Sequence, residues 1–149
     1  MDVIDVKILE VLQDNSRVSI SELSKKVSLS LSAVSERLKK LENSNIISKY
    51  TVILDPKLMG KDLSVFISIG LESTSQAPAF LEFIQQEPEV LECHYITGEY
   101  DYLLKVTTAN THSLEQIMNR IKSFQGIKRT QTNVIMSTTK MRHSIAPGQ

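Results

Sequence analysis

The 149-residue sequence predicts a two-part α+β protein. An N-terminal three-helix domain of the helix-turn-helix, winged-helix-like kind is followed by a C-terminal βαββαβ domain with a ferredoxin-like arrangement. Three observations predict it. Up to residue 45 the apolar side chains recur at helical spacing. A break at Asp55-Pro56 and Gly60 follows a β-rich run, and beyond it strand-like and helix-like periods alternate in the order β-α-β-β-α-β. The expected domains are therefore residues 1–60, a helical head with its connecting strand and hinge, and residues 61–149, the βαββαβ domain.

In the head, residues 2–13 place Ile4, Ile8, Val11 and Leu12 on one helical face, with Asp2 as the cap, and Asp14-Asn15-Ser16 ends the run. Residues 19–43 read as two short helices joined by a tight turn. Ser19 and Glu22 have the spacing of a capping box ahead of Ile20, Leu23 and Val27. Ser30 caps the next helix, whose Leu31, Val34, Leu38 and Leu41 predict one buried stripe and leave Ser32, Ser35, Glu36, Lys39, Lys40 and Asn43 pointing away. Asn45 stands where a left-handed residue closes that helix. Residues 46–54 look extended and β-rich, a small wing or connecting strand.

In the second domain, Leu63, Val65, Ile67, Ile69 and Leu71 alternate with Ser64, Phe66, Ser68 and Gly70, the period of a half-buried strand. A helix over 78–86 ends before Pro88, and strands follow over 90–97 and 102–107 with Gly98-Glu99 as the turn. A second helix over 113–124 is closed by Gly126, and the last strand runs over 128–138. Two βαβ halves with right-handed crossovers give a four-stranded sheet with both helices on one face. The open face would carry Phe66 and Leu103, which predicts a homodimer through this domain.

Composition narrows the function classes. No apolar run approaches the roughly 18 residues that span a bilayer, and no basic segment precedes an apolar core at the N-terminus, so a cytoplasmic, nucleoid-associated protein is expected. One cysteine, Cys93, excludes an intramolecular disulfide framework, and His94, His112 and His143 have no ligand spacing. No nucleophile–base set and no Gly-rich phosphate loop occurs, so neither catalysis nor a cofactor is expected. Net charge is zero, yet residues 25–49 carry six basic side chains against two acidic ones, a local excess of +4. Double-stranded DNA is the partner that such a patch on a helical hairpin suits.

The candidate DNA-binding residues are Ser30, Ser32, Ala33, Ser35, Glu36, Arg37, Lys39 and Lys40 of the second hairpin helix, with Lys25 and Lys26 before it. Arg37 is a rigid fork suited to a phosphate or to guanine O6 and N7, its alternative being a surface ion pair with a neighbour such as Glu42. Ser32, Ser35 and Lys39 form the expected groove-facing set, and the remaining lysines would touch the backbone. Gly98-Glu99-Tyr100-Asp101 is a strand-connecting turn whose amides suit a carboxylate and whose Asp101 suits an ammonium group. On the residues alone an ordinary hairpin with a satisfied Asp101 is the favoured explanation.

Motifs along nearly the whole chain resemble the Lrp/AsnC (feast/famine) transcriptional regulators. They are Asp5-Val-Lys-Ile-Leu and Leu12-Gln-Asp-Asn-Ser-Arg17, Glu22-Leu23 with Val27, Val34 through Arg37-Leu-Lys-Lys-Leu-Glu42, Ile46-Ile47 with Tyr50, Asp55-Pro56 with Gly60, and Gly98-Glu-Tyr-Asp101-Tyr. The resemblance implies a helix-turn-helix head and a dimerising sensing domain that often assembles to octamers and binds amino acids between dimers. It favours an effector role for Gly98, Glu99, Tyr100 and Asp101, with Thr130, Thr132 and Asn133 of a neighbouring subunit as further candidates. The chain departs from the pattern at the turn glycine (Ser28), a small-residue position (Ser24), the proline opening the recognition helix (Leu31) and the glycine after it (Asn45). The expected function is a sequence-specific transcriptional regulator modulated by an amino acid. The alternatives are a nucleoid-architecture protein with little sequence preference and an amino-acid-binding module of an enzyme complex.

Overall fold

A computed structural model describes residues 1–148 and resolves them into two compact units, one formed by residues 1–52 together with the segment from Lys140 onward, the other by residues 53–139. This differs from a single cut near residue 60. The hinge residues 53–60 belong with the second unit, and the chain's last segment returns to the first, where the Gln13 side-chain amide donates to Ser144 Oγ (2.9 Å) and to the Ile145 carbonyl (2.7 Å).

The first unit holds α1 (Val3–Asp14), α2 (Ile20–Val27) and α3 (Leu31–Asn43). Each begins on a side-chain cap. Asp2 accepts from the Ile4 and Asp5 amides while the Asp5 carboxylate receives the Asp2 amide, and Ser19 and Glu22 make the same reciprocal pair for α2. Ile8, Leu9, Leu23, Val27, Val34 and Leu41 form the buried core. Leu31 departs from the predicted stripe: it is 55% exposed, because the first turn of α3 rotates it about 60° from Val34. The strand expected over 46–54 is absent. Among the described residues no strand pairs with these β-formers, and strand preference is a preference for a paired, half-buried surface. Tyr50, Val52, Ile53 and Leu54 are left exposed.

The second unit is β1 (Leu63–Leu71), α4 (Ala77–Gln85, entered through a 3₁₀ turn at Thr74–Gln76), β2 (Val90–Tyr95), β3 (Tyr102–Thr108), α5 (Thr111–Ser123) and β4 (Ile127–Val134). The sheet is antiparallel with order β2-β3-β1-β4, the split-βαβ topology. Val65, Ile67, Ile69, Tyr102, Leu104 and Val106 face α4 and α5, packing on Phe80, Ile84, Ile117 and Ile121. The last strand stops at Val134, shorter than the sequence predicts, with a single further bond from the Ile135 amide to the Ser64 carbonyl at 2.9 Å.

Register puts Ser64, Phe66, Ser68, Leu103, Lys105, Glu92, His94, Arg129, Gln131 and Asn133 on the other face. Phe66 and Leu103 are half-buried there and lie among polar groups, including a Glu92–Lys105 pair at 3.3 Å and a Ser64–Thr107 hydrogen bond at 2.9 Å. Beside the helices, Glu87 takes a bidentate contact from Arg120 (2.9 and 2.7 Å), and Glu89 joins Lys61 and Thr108. No helix among the described residues is long and apolar enough to cross a membrane.

Candidate functional site

The hairpin of α2 and α3 owes its geometry to four serines. Ser28 takes a left-handed conformation (φ 55°) and turns the chain, the Ser24 hydroxyl donates to the Leu29 carbonyl, and the Leu29 amide returns to the Ser24 carbonyl at 3.1 Å. Ser30 Oγ accepts the Ala33 amide at 3.3 Å and lies 3.1 Å from Ser32 Oγ, so it is engaged as a cap. Asn45 closes α3 at φ 58°, the left-handed residue that the sequence predicts.

Helical geometry then fixes what α3 displays. With Val34 and Leu41 buried, Ser32, Glu36, Lys39, Lys40 and Asn43 are exposed, Ser35 is half-buried at the edge of that face and Ala33 lies on its flank. Lys25 and Lys26 are exposed on the last turn of α2. Arg37 is placed differently. Its Nη1 donates to Asp2 Oδ2 and Asp5 Oδ1, both at 2.7 Å, which ties α3 to the cap of α1. Glu42, the neighbour expected as its ion-pair alternative, instead accepts from the Tyr50 hydroxyl at 2.9 Å. Burial, followed by that carboxylate, pushes the Tyr50 pKa up to about 12. Asp2 is held below the usual aspartate range by the Asp5 amide and then by Arg37. At Asp5 burial acts upward, but the Asp2 amide and Arg37 outweigh it and the net shift is downward.

Asp101 closes the β2–β3 connection. Its carbonyl accepts the Ile96 amide and its amide donates to the Ile69 carbonyl, each at 2.9 Å, while its carboxylate accepts the Leu71 amide at 2.7 Å. Gly98 supplies the positive φ (117°) that the turn needs. Glu99 and Tyr100 are drawn to β4: Arg129 Nη1 meets the Glu99 carboxylate at 2.6 Å, its guanidinium sits 4.6 Å from the Tyr100 ring centre, and the Tyr100 hydroxyl donates to Gln131 at 3.0 Å. Asp101 also borders a pocket of about 190 Å³ lined by Leu71, Thr74, Ala77, Tyr95 and Tyr102. Thr130 and Thr132 point away from the loop's β4 contacts, onto the helix side, where the Thr132 hydroxyl donates to Met118 Sδ at 3.2 Å. Asn133 lies on the open face.

Comparison with known proteins agrees with this architecture. Residues 1–48 match the winged helix-turn-helix DNA-binding domain, and residues 64–145 match the Lrp/AsnC ligand binding domain. The chain belongs to the Lrp/AsnC family of transcriptional regulators. It is 37% identical over 144 residues to the leucine-responsive regulatory protein of Haemophilus influenzae, covering 94% of this chain and 86% of that one. It is 31% identical over 140 residues to the transcriptional regulator FL11 of Pyrococcus furiosus, covering 94% and 92%. Among solved structures it superposes on transcriptional regulator NMB0573 of Neisseria meningitidis in complex with L-Met, with TM-score 0.93, 32% identity and 97% and 96% of the two chains. On E. coli AsnC the TM-score is 0.92, with 31% identity and 99% of each chain.

As a member of this family the chain is a DNA-binding transcriptional regulator with a separate ligand-binding domain. Its departures from the Lrp/AsnC pattern are accommodated locally, with Ser28 and Asn45 in the two left-handed positions and Ser24 supplying a turn bond that a smaller residue lacks. Sequence reasoning missed Arg129 and Gln131. Strand parity offered the signal, since both share the face of Asn133, two and four residues away. The lining residues Thr74, Ala77 and Tyr95 come from different elements, and nothing in their spacing announces a common pocket.

Proposed function

We propose that this protein is a sequence-specific regulator that works as a homodimer, placing two copies of α3 in successive major grooves of a pseudo-palindromic site about 34–36 Å apart. The observation that carries the reading is the outward face of α3, where Ser32, Ser35, Glu36 and Lys39 stand clear of the core with Lys25, Lys26 and Lys40 beside them for the phosphates. Arg37, engaged by Asp2 and Asp5, sets the angle of the helix, and Ser30 and Ala33 act through the cap. The role is regulatory rather than catalytic, and it is exercised on cytoplasmic, nucleoid DNA.

The effector we propose is an amino acid at the Gly98–Asp101 turn. Supporting this are the L-Met complex of the Neisseria relative and the pocket of about 190 Å³ beside the Asp101 carboxylate. Turn amides would meet the effector's carboxylate, and Asp101 would accept from its ammonium group. Assembly beyond the dimer, to an octamer, would let such a ligand act by favouring one arrangement of heads over another, which it can do only through differential affinity. Of the β4 candidates, Asn133 faces outward and fits a contact with a neighbouring copy better than Thr130 or Thr132.

The deciding experiment selects genomic fragments bound by the purified protein with and without a mixture of the common amino acids. Enrichment of a shared palindromic sequence, altered in extent by one amino acid, is the expected result. Uniform recovery of all fragments would overturn sequence-specific reading, and an unaltered selection would overturn the effector.

A further inference from the structure

The reading face of α3 contains one acidic side chain. On a surface that meets phosphates a carboxylate is repelled, so its presence needs a gain elsewhere. Glu36 has no internal explanation. The other carboxylates of α2 and α3 are engaged, Glu22 with Ser19 and Glu42 with Tyr50. Glu36 pairs with neither Lys39 nor Lys40, three and four residues along on the same face, and among the described residues it makes no ion pair or hydrogen bond. It is exposed, and at about 100° per residue it points within roughly 20° of the direction opposite Val34, the centre of the displayed face. Ser32, Lys39 and Asn43 lie on one side of it and Lys40 on the other.

A carboxylate only accepts hydrogen bonds. In the major groove guanine presents acceptors at O6 and N7 and thymine an acceptor at O4, all of which repel it. Adenine offers N6 but sets the N7 acceptor beside it, whereas cytosine offers the N4 amino group without a neighbouring acceptor of its own. We propose that Glu36 is a specificity-determining residue that accepts from the N4 amino group of a cytosine at one position in each half-site. The inference rests on the DNA-reading function proposed above and assigns its chemistry at one base pair. Lys39 and Lys40, one turn on, supply the cationic flank that keeps the carboxylate near DNA at all.

The test uses the full chain and a DNA site selected from random duplexes, with the four bases compared at every position at one salt concentration. For the unmodified protein one position per half-site should prefer cytosine by about tenfold. Glu36→Gln should move that preference to adenine, since an amide pairs with N6 and N7 together. Glu36→Ala should abolish it while strengthening binding to unrelated DNA, because a repelling charge has gone. Both variants replace an exposed side chain, and an unchanged thermal transition checks that the head is intact. Should both variants keep the original preference at every position, the assignment to Glu36 is overturned while sequence reading stands. If the unmodified protein shows no base preference anywhere, sequence reading falls and the assignment falls with it.

Discussion

Replacing Ser28 by glycine should stabilise the head. A residue with a Cβ held at φ 55° costs about 1–2 kcal/mol relative to its relaxed conformation, and glycine removes that strain while giving back about 0.5–1 kcal/mol through the greater freedom of the unfolded chain. The Ser28 side chain is exposed and makes no hydrogen bond, so nothing else is lost. The net gain is about 0.5–1 kcal/mol, or about 4 °C in the melting temperature of a unit this small. Asn45→Gly should give less, because asparagine already tolerates its φ of 58°. The two positions lie at opposite ends of the 13-residue α3, about 20 Å apart, so their effects should add. The assay is thermal unfolding of the full chain, following the transition of the first unit. Ser28→Val provides the opposite sign, since a β-branched side chain is a poor occupant of this conformation. A Ser28→Gly protein that melts with or below the original, together with an unaffected Ser28→Val protein, would refute the claim that strain resides in this turn.

Other consequences can be measured on the same protein. Lys39→Ala should weaken DNA binding and reduce the salt slope by about one unit, whereas Arg37→Ala should lower the melting temperature of the head and keep the salt slope, as befits a group occupied by Asp2 and Asp5. Asp2, Asp5 and Glu22 all have lowered pKa values in the folded chain, so they contribute stability above the ordinary values of 3.8 and 4.5 that is lost as pH falls through their depressed folded values. Acid unfolding of the head should start below about pH 4 and soften in Asp5→Asn. Asp101→Ala strands the Leu71 amide and should destabilise the second unit by about 1–2 kcal/mol, with any amino-acid response abolished in filter-binding assays. Phe80→Ala empties the centre of the same unit, where Tyr102 and Phe124 touch its ring, and should cost about 3–5 kcal/mol in denaturant unfolding.

Local chemistry made most of the fold legible. Asp2, Ser19 and Ser30 each mark a helix start that the structure keeps, and the alternation from Leu63 to Leu71 identifies the strand at the centre of the sheet. What stayed hidden depends on distant partners. The stretch 46–54 carries strand-forming side chains, but a strand needs a neighbour and the described residues pair none with it. The bonds of Arg37 to Asp2 and Asp5 are hidden from the sequence because these partners lie 35 and 32 residues away, beyond any helical spacing rule. The outward face of α3 was legible because it follows from helix geometry alone. The turn at residues 98–101 was visible as a turn, yet the engagement of Asp101 with β1 and of Glu99 with β4 is tertiary.

The return of the last segment to α1 has a bearing on synthesis. Gln13 finds Ser144 and Ile145 across more than 130 positions of chain, and Gly148 lies against Val6. Because domains form as units in the order in which they leave the ribosome, α1 to α3 emerge first but lack this packing until the entire sensing domain has followed. The second unit is thus an insertion within the first. A head excised at residue 52 carries its helices without the segment whose Ser144 and Ile145 meet Gln13 of α1.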